Sequence, residues 1–152
     1  MSNNDLLVAV KGSNPTGVRQ ALDLGASPNT TDQYGWPVLR LALRKDMLTE
    51  IDVAVIQHLL HETSLDIDYI GGDSRSYTAL MDAAYRGHTD VCHRLLQRGA
   101  APDITTSDSG HTAIWLAAYG GHRQAMEVII SYSGDLHKKD KWGRSPAQAA
   151  RG

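Results

Sequence analysis

The chain has 152 residues, about one domain's length, with 15 Lys+Arg against 17 Asp+Glu and a formal charge of −2, so neither a basic excess for nucleic acid nor an acidic disordered run is visible. Apolar residues make up 41 %, mean hydropathy is −0.33, and no apolar stretch approaches the ~18 residues of a membrane span, so the chain reads as soluble and globular with no span. The opening MSNND lacks the basic and apolar regions of a secretory leader, and one cysteine cannot form an internal disulfide; a cytoplasmic location is expected. Three Trp, six Tyr and no Phe give every aromatic a polar handle.

Taken in order, the segments repeat. LLVAV at 6–10 precedes VRQALDLGA at 18–26, with Ala9 and Ala21 at i and i+12. GWPVLRLAL at 35–43 follows, and its partner stripe is centred on Leu59, at i+17 from Ala42. SYTALMDAA at 76–84 pairs with VCHRLLQRG at 91–99, and GHTAIWLAA at 110–118 with VIISYSG at 128–134. In both pairs, Ala83 with Leu95 and Ala117 with Ile129, the offset is again i, i+12. GRSPAQAAR at 143–151 closes the chain. The third positions are Pro37, Thr78, Thr112 and Ser145; the last two steps between them are nearly equal, and the first is several positions longer.

Each unit predicts two short helices with a one-sided apolar stripe. Leu80, Ala83 and Ala84 fall at i, i+3, i+4. Thr at the third position suits a helix N-cap. Alanines let helices approach closely, and Gly99 can adopt positive φ to end a helix. One unit cannot bury its apolar face, whereas stacked units form a continuous strip of core.

A period of about 33 with these signatures resembles the ankyrin repeat over nearly the whole chain. The family's T-P-L-H-x-A appears as Thr78-Ala-Leu-Met-Asp-Ala83 and Thr112-Ala-Ile-Trp-Leu-Ala117. Its Gly-His appears as Gly87-His88 and Gly121-His122, and its Gly-Ala-x-x-Asn/Asp at 25–29 and 99–103. The resemblance implies an all-α repeat, a solenoid of helix-turn-helix units joined by β-hairpin-like turns. The expected units are 1–32, 33–73, 74–106, 107–139 and a partial 140–152, forming a single domain. The first unit is atypical, like an N-terminal cap. The last is either a half-repeat cap or the edge of a longer array.

Five extra residues fall within 44–52, between the helices of the second unit, and two more near 70–75. The expectation is a surface loop running into the second helix, either a tolerated insertion or an added binding loop.

Catalytic constellations are not visible. His58 and His61 beside Glu62 lack a third ligand at fixed spacing, and the order is not that of a zinc helix. His88 and His122 occupy the Gly-His position and are expected to bond backbone at the turns. Cys92 sits in an apolar stripe. Asp66 and Asp68 flank Ile67 after a helix, and two carboxylates on a loop are weak evidence for the converging geometry that acid/base work needs. No metal, cofactor or enzymatic activity is expected.

The resemblance also implies a binding face, formed by hairpin tips and inner helices. Carried over by register, twenty positions line it, Ser74 among them. Six of the nine aromatics fall there, with seven Lys/Arg and one Asp. The expected partner-binding residues are Tyr34, Trp36, Arg44, Arg75, Tyr77, Tyr85, Arg86, His111, Tyr119, Trp142 and Arg144. Trp36, Tyr77 and Tyr85 are expected as hot spots, because Trp, Tyr and Arg dominate such sites. Trp115, at the family's His position, is either core or groove floor. The expected function is a non-catalytic scaffold, favoured as a monomer, whose concave aromatic and basic face binds another protein that carries an acidic patch and apolar anchors. The alternatives are single-stranded nucleic acid, which the bland charge makes the weaker reading, or a host-directed effector or toxin-neutralising adaptor. The alternative role for the rings is stiffening of the solenoid face.

Overall fold

The computed structural model describes residues 2–72 and 75–150; Ser74 and Arg151 lie outside the described residues. Close to half of the described residues are helical, and no strand forms among them beyond an isolated antiparallel bridge between Thr31 and Pro37. Helices α1 (Asn3–Lys11), α3 (Val38–Ala42), α5 (Ala79–Arg86), α7 (Ala113–Tyr119) and α9 (Pro146–Ala149) make an inner row. Helices α2 (Pro15–Asp23), α4 (Glu50–His61), α6 (Thr89–Gln97) and α8 (Arg123–Ser131) make the outer row behind it.

The caps follow from residue type. The hydroxyls of Thr78 and Thr112 accept from the amides of Met81 and Trp115, each at 3.3 Å. Pro37, at the same place before α3, has no side-chain oxygen to give, and α3 runs only five residues. Gly87 ends α5 in the left-handed region at φ +74, and the His122 ring packs so closely on it that a Cβ would not fit. Leu80, Ala83, Leu95, Ala117 and Ile129 are fully buried along one continuous core, and α5 and α7 approach closely through their alanines.

Hairpin tips are closed by side chains. Asp32 Oδ1 accepts from the amides of Tyr34 and Trp36, both at 3.0 Å, and Asp140 Oδ1 from those of Trp142 and Arg144, both at 2.9 Å. On the opposite edge, Asn29, Asp68 and Asp103 accept from the amides of Asp66, Ala101 and Asp135, each tying one repeat to the next. Of the Asp66/Asp68 pair, the Asp68 carboxylate makes one of these ties, and Asp66 Oδ1 accepts from the Asp68 amide at 3.3 Å.

Residues 43–49 form the loop between α3 and α4, and α4 starts at Glu50 behind a Thr49 cap. The loop is stitched to its neighbours. Asp52 is buried and accepts from Ser13 Oγ at 2.6 Å, Lys45 Nζ at 2.6 Å and the Thr49 amide at 2.9 Å. The His88 ring donates to the Lys45 carbonyl at 2.8 Å, so this turn histidine bonds backbone of the preceding repeat. Asp46 pairs with Arg86.

Candidate functional site

The face formed by hairpin tips and inner helices carries two different constructions. Toward the N-terminal half, Arg40 on α3 is buried at 1 % exposure, in the column that Met81 and Trp115 fill in later repeats. Its guanidinium pairs with Asp82 on α5, donates to the Gly71 carbonyl, and lies 4.2 Å from the Trp36 ring centre and 5.8 Å from that of Tyr77. Arg44 adds a second cation 4.7 Å from Trp36, and Arg75 sits 5.6 Å from Tyr77. Trp36 and Tyr77 are consequently half-buried walls around a guanidinium. Burial raises the Tyr77 hydroxyl's pKa, against the nearby Arg75.

In the C-terminal half the rings stack on one another. Tyr85 on α5 lies 6.5 Å from Tyr119 on α7, nearly parallel; Tyr119 lies 5.6 Å from Trp115; Trp115 lies 3.4 Å from His111 at 7°. The Arg144 guanidinium stands 5.4 Å from Trp115 and 5.0 Å from Trp142. Trp115 is buried beneath this ladder and belongs to the core. Tyr85 (43 %), Tyr119 (60 %) and Trp142 (65 %) remain open to solvent, as does Tyr34 (70 %). Tyr85 and Tyr119 line an open depression of about 440 Å³ with Asp46, Arg86, Gly120 and His122.

Charge on this face is more compensated than register alone gives. Lys11 lies 3.5 Å from Asp32, Lys45 is 2.6 Å from Asp52, Arg144 is 2.8 Å from Asp140, and Arg86 pairs with Asp46. Those four aspartates all lie outside the register set. Arg44 makes no ion pair among the described residues.

Ser109, His111 and Asp140 have the residue types of a nucleophilic triad. Ser109 Oγ lies 3.0 Å from His111 Nδ1, and His111 Nε2 lies 3.5 Å from Asp140 Oδ2. The hydroxyl is buried, however, and donates to Asp108 Oδ1 at 2.9 Å while Thr106 Oγ1 lies at 2.9 Å. A nucleophile must hand its proton to the base, and this proton goes to Asp108. Burial depresses the His111 pKa, against the pull of Asp140. Cys92 is buried with its thiol pushed up to about 12 by burial, so it is no nucleophile. No group of three His, Cys, Asp or Glu among the described residues could hold a metal. No helix among them is long and apolar enough to cross a membrane.

Sequence reading did not single out Arg40, Asp82, Asp46, Asp52 or Asp140. Arg40 carried a signal, a charge in a column that the repeat otherwise fills with Met81 and Trp115. Asp46, Asp52 and Asp82 carried none, because their partners lie in other repeats or across a loop, whereas Asp140 bonds within its own hairpin at the same spacing as Asp32.

A family model described as ankyrin repeats, in three copies, matches residues 6–108 and 80–151. An ankyrin repeat-containing protein of Treponema pallidum is 30 % identical over 141 residues, 93 % of this chain and 45 % of its own length. A rice protein described as the E3 ubiquitin-protein ligase XBOS34 is 31 % identical over 79 % of this chain and 22 % of its own length. Palmitoyltransferase AKR1 of Lachancea kluyveri is 27 % identical over 82 % of this chain and 16 % of its own length. The chain thus spans less than half the length of these curated relatives.

Proposed function

The chain belongs to the ankyrin-repeat family, and on that premise we propose that it is a non-catalytic, monomeric, cytoplasmic scaffold whose ring-lined face binds another protein. The observation that carries this reading is the parallel, solvent-open pair Tyr85 and Tyr119, set in a depression and continued by Trp142. Large, rigid rings with a polar tip offer contact area at small entropic cost. The partner segment we infer has apolar anchors for the tyrosines and a modest acidic character that matches Arg44. Trp36 and Tyr77 frame that surface, but their rings are already engaged with Arg40, so Tyr85 and Tyr119 are the stronger hot-spot candidates.

Protein is favoured over single-stranded nucleic acid. Base stacking needs free ring faces and unneutralised cations. Here the Trp115 and His111 faces cover each other, and Lys11, Lys45, Arg86 and Arg144 have carboxylate partners.

Selection of a random peptide display library on the full chain tests the reading. Acidic peptides with aromatic or aliphatic anchors should be enriched. Each of Tyr85→Ala and Tyr119→Ala should weaken their binding by about 2 kcal/mol, roughly 30-fold, with little change in Tm. Enriched peptides that bind the double variant as well as the parent would remove this face as the site.

A further inference from the structure

On the opposite, convex side, outer helices pair closely in two places, α2 with α4 and α6 with α8, while α4 and α6 pack only loosely. The gap between them holds a cavity of about 190 Å³ lined by Gln57, Leu60 and His61 from α4 and Arg94, Gln97 and Arg98 from the α6 side. Both sets fall at i, i+3, i+4, so two helix stripes face each other across the opening. Leu60, almost fully buried, forms an apolar floor.

The arginines here are held differently from most of those elsewhere. Arg19, Arg40, Arg86, Arg123 and Arg144 are paired with carboxylates. Arg94 faces a neutral group: with the Gln57 amide assigned in the orientation that satisfies both its oxygen and its nitrogen, the oxygen accepts from both terminal guanidinium nitrogens at 2.8 and 3.1 Å. Arg98 donates to the backbone carbonyl of Glu62 at 3.1 Å. Neutral acceptors orient a guanidinium without cancelling its charge. The result is two preorganised cations with a ring nitrogen from His61 and an amide from Gln97 beside them, and no carboxylate in the lining. The partial negative charge at the helix C-termini offsets this only in part.

We propose that this cleft is an oxyanion site for a phosphoryl group, carried by a phosphate monoester or present as free phosphate. Two guanidinium forks match the charge and oxygen geometry of a dianion. The Leu60 floor gives room for the organic part of a monoester. The site is independent of the ring-lined face and stands whether or not that face binds protein.

The test follows the side-chain Nε–H signals of the full chain by NMR during titration with inorganic phosphate and, separately, phenyl phosphate. The Arg94 and Arg98 signals should shift together and saturate, while those of Arg19 and Arg123, already ion-paired, stay nearly still. Arg94→Gln should weaken binding by about tenfold or more. Gln57→Glu places a carboxylate on Arg94 and should abolish binding with the fold and Tm retained, which keeps the test decisive if Arg94→Gln destabilises the helix pair. Tighter binding of phenyl phosphate assigns the site to monoesters, and equal or tighter binding of inorganic phosphate assigns it to the free anion. No shift, parallel unsaturated shifts at every arginine, or titrations unchanged in Gln57→Glu would overturn the proposal.

Discussion

The junction between α5 and α7 and the junction between α3 and α5 solve the same stacking problem with opposite chemistry. At the first, Ala83, Ala84, Ala117 and Ala118 bring backbones together, threonines cap both helices, and the rings lie on top of a dry contact. At the second, α3 is short, its cap is Pro37, and a buried Arg40–Asp82 pair spans the gap. The loop at 43–49 then adds the Asp46–Arg86 pair and the His88 bond to Lys45. Small apolar residues tolerate close approach because they ask nothing of their neighbours. A buried guanidinium has to find its carboxylate and its carbonyl, so this junction is specific in partner but exposed to the loss of either one.

That difference can be broken from the polar side first. Asp82→Ala removes the α5 carboxylate that the Arg40 guanidinium pairs with and should destabilise by about 3–5 kcal/mol in chemical denaturation. Replacing both, Arg40→Met with Asp82→Leu, should recover most of the loss, because a hydrophobic pair carries no desolvation cost. If the double variant is as unstable as the single, the pair is not the source of the sensitivity.

In the regular half, Leu95→Ala should cost about 2–5 kcal/mol through the cavity it leaves. No partner change should rescue it, since packing rather than charge is lost. A midpoint unchanged from the parent would mean that Leu95 is not in the core.

Acid should weaken both halves, because hydrogen bonds outweigh burial and hold the carboxyls of Asp32 and Asp52 in one and of Asp108 and Asp140 in the other below their ordinary range. Burial alone would raise the Asp52 pKa, but the bonds from Lys45, Ser13 and Thr49 outweigh it and hold the carboxyl well below its ordinary range. A depressed carboxylate contributes stability above its unfolded pKa, about 3.9, and that contribution fades as pH falls through the folded value. Stability therefore rises with pH across this acid window. Asp52→Asn should cost roughly 1–3 kcal/mol at neutral pH and flatten the acid limb of a Tm-against-pH curve. An unchanged limb would place the acid sensitivity elsewhere.

The smallest effect belongs to the loop. Asp46 is almost fully exposed although Arg86 is not, so Asp46→Ala should change stability by less than about 1 kcal/mol, and less still in high salt. A larger loss, measured by thermal melts at two salt concentrations, would make the loop a packed element and not a surface stitch.

Much of the scaffold was legible from residues alone. The common offset from Ala83 to Leu95 and from Ala117 to Ile129 sets two helices per unit, because each stripe must reach the same core. Thr78 and Thr112 mark helix starts through local bonds to amides three positions on. Tyr85 and Tyr119 share one register position in successive repeats, and stacking alone brings them into a parallel pair. These features depend on separations within one repeat or on strict repetition, and both are written along the chain.

What only the tertiary structure decided concerns charge and gaps. Arg40 reaches Asp82 across 42 residues, Arg86 reaches Asp46 across 40, and Ser13 reaches Asp52 across 39. No period predicts these spans, because the loop at 43–49 shifts the second repeat out of step. The loose contact of α4 with α6, and the unneutralised Arg94 beside Gln57, likewise depend on how the two helices are set in space. A stripe of residues specifies which face of a helix turns inward, since burial rewards apolar area wherever it finds a partner. Which cation meets which carboxylate depends on a few ångströms of placement between segments far apart in the chain, and the fold alone supplies that.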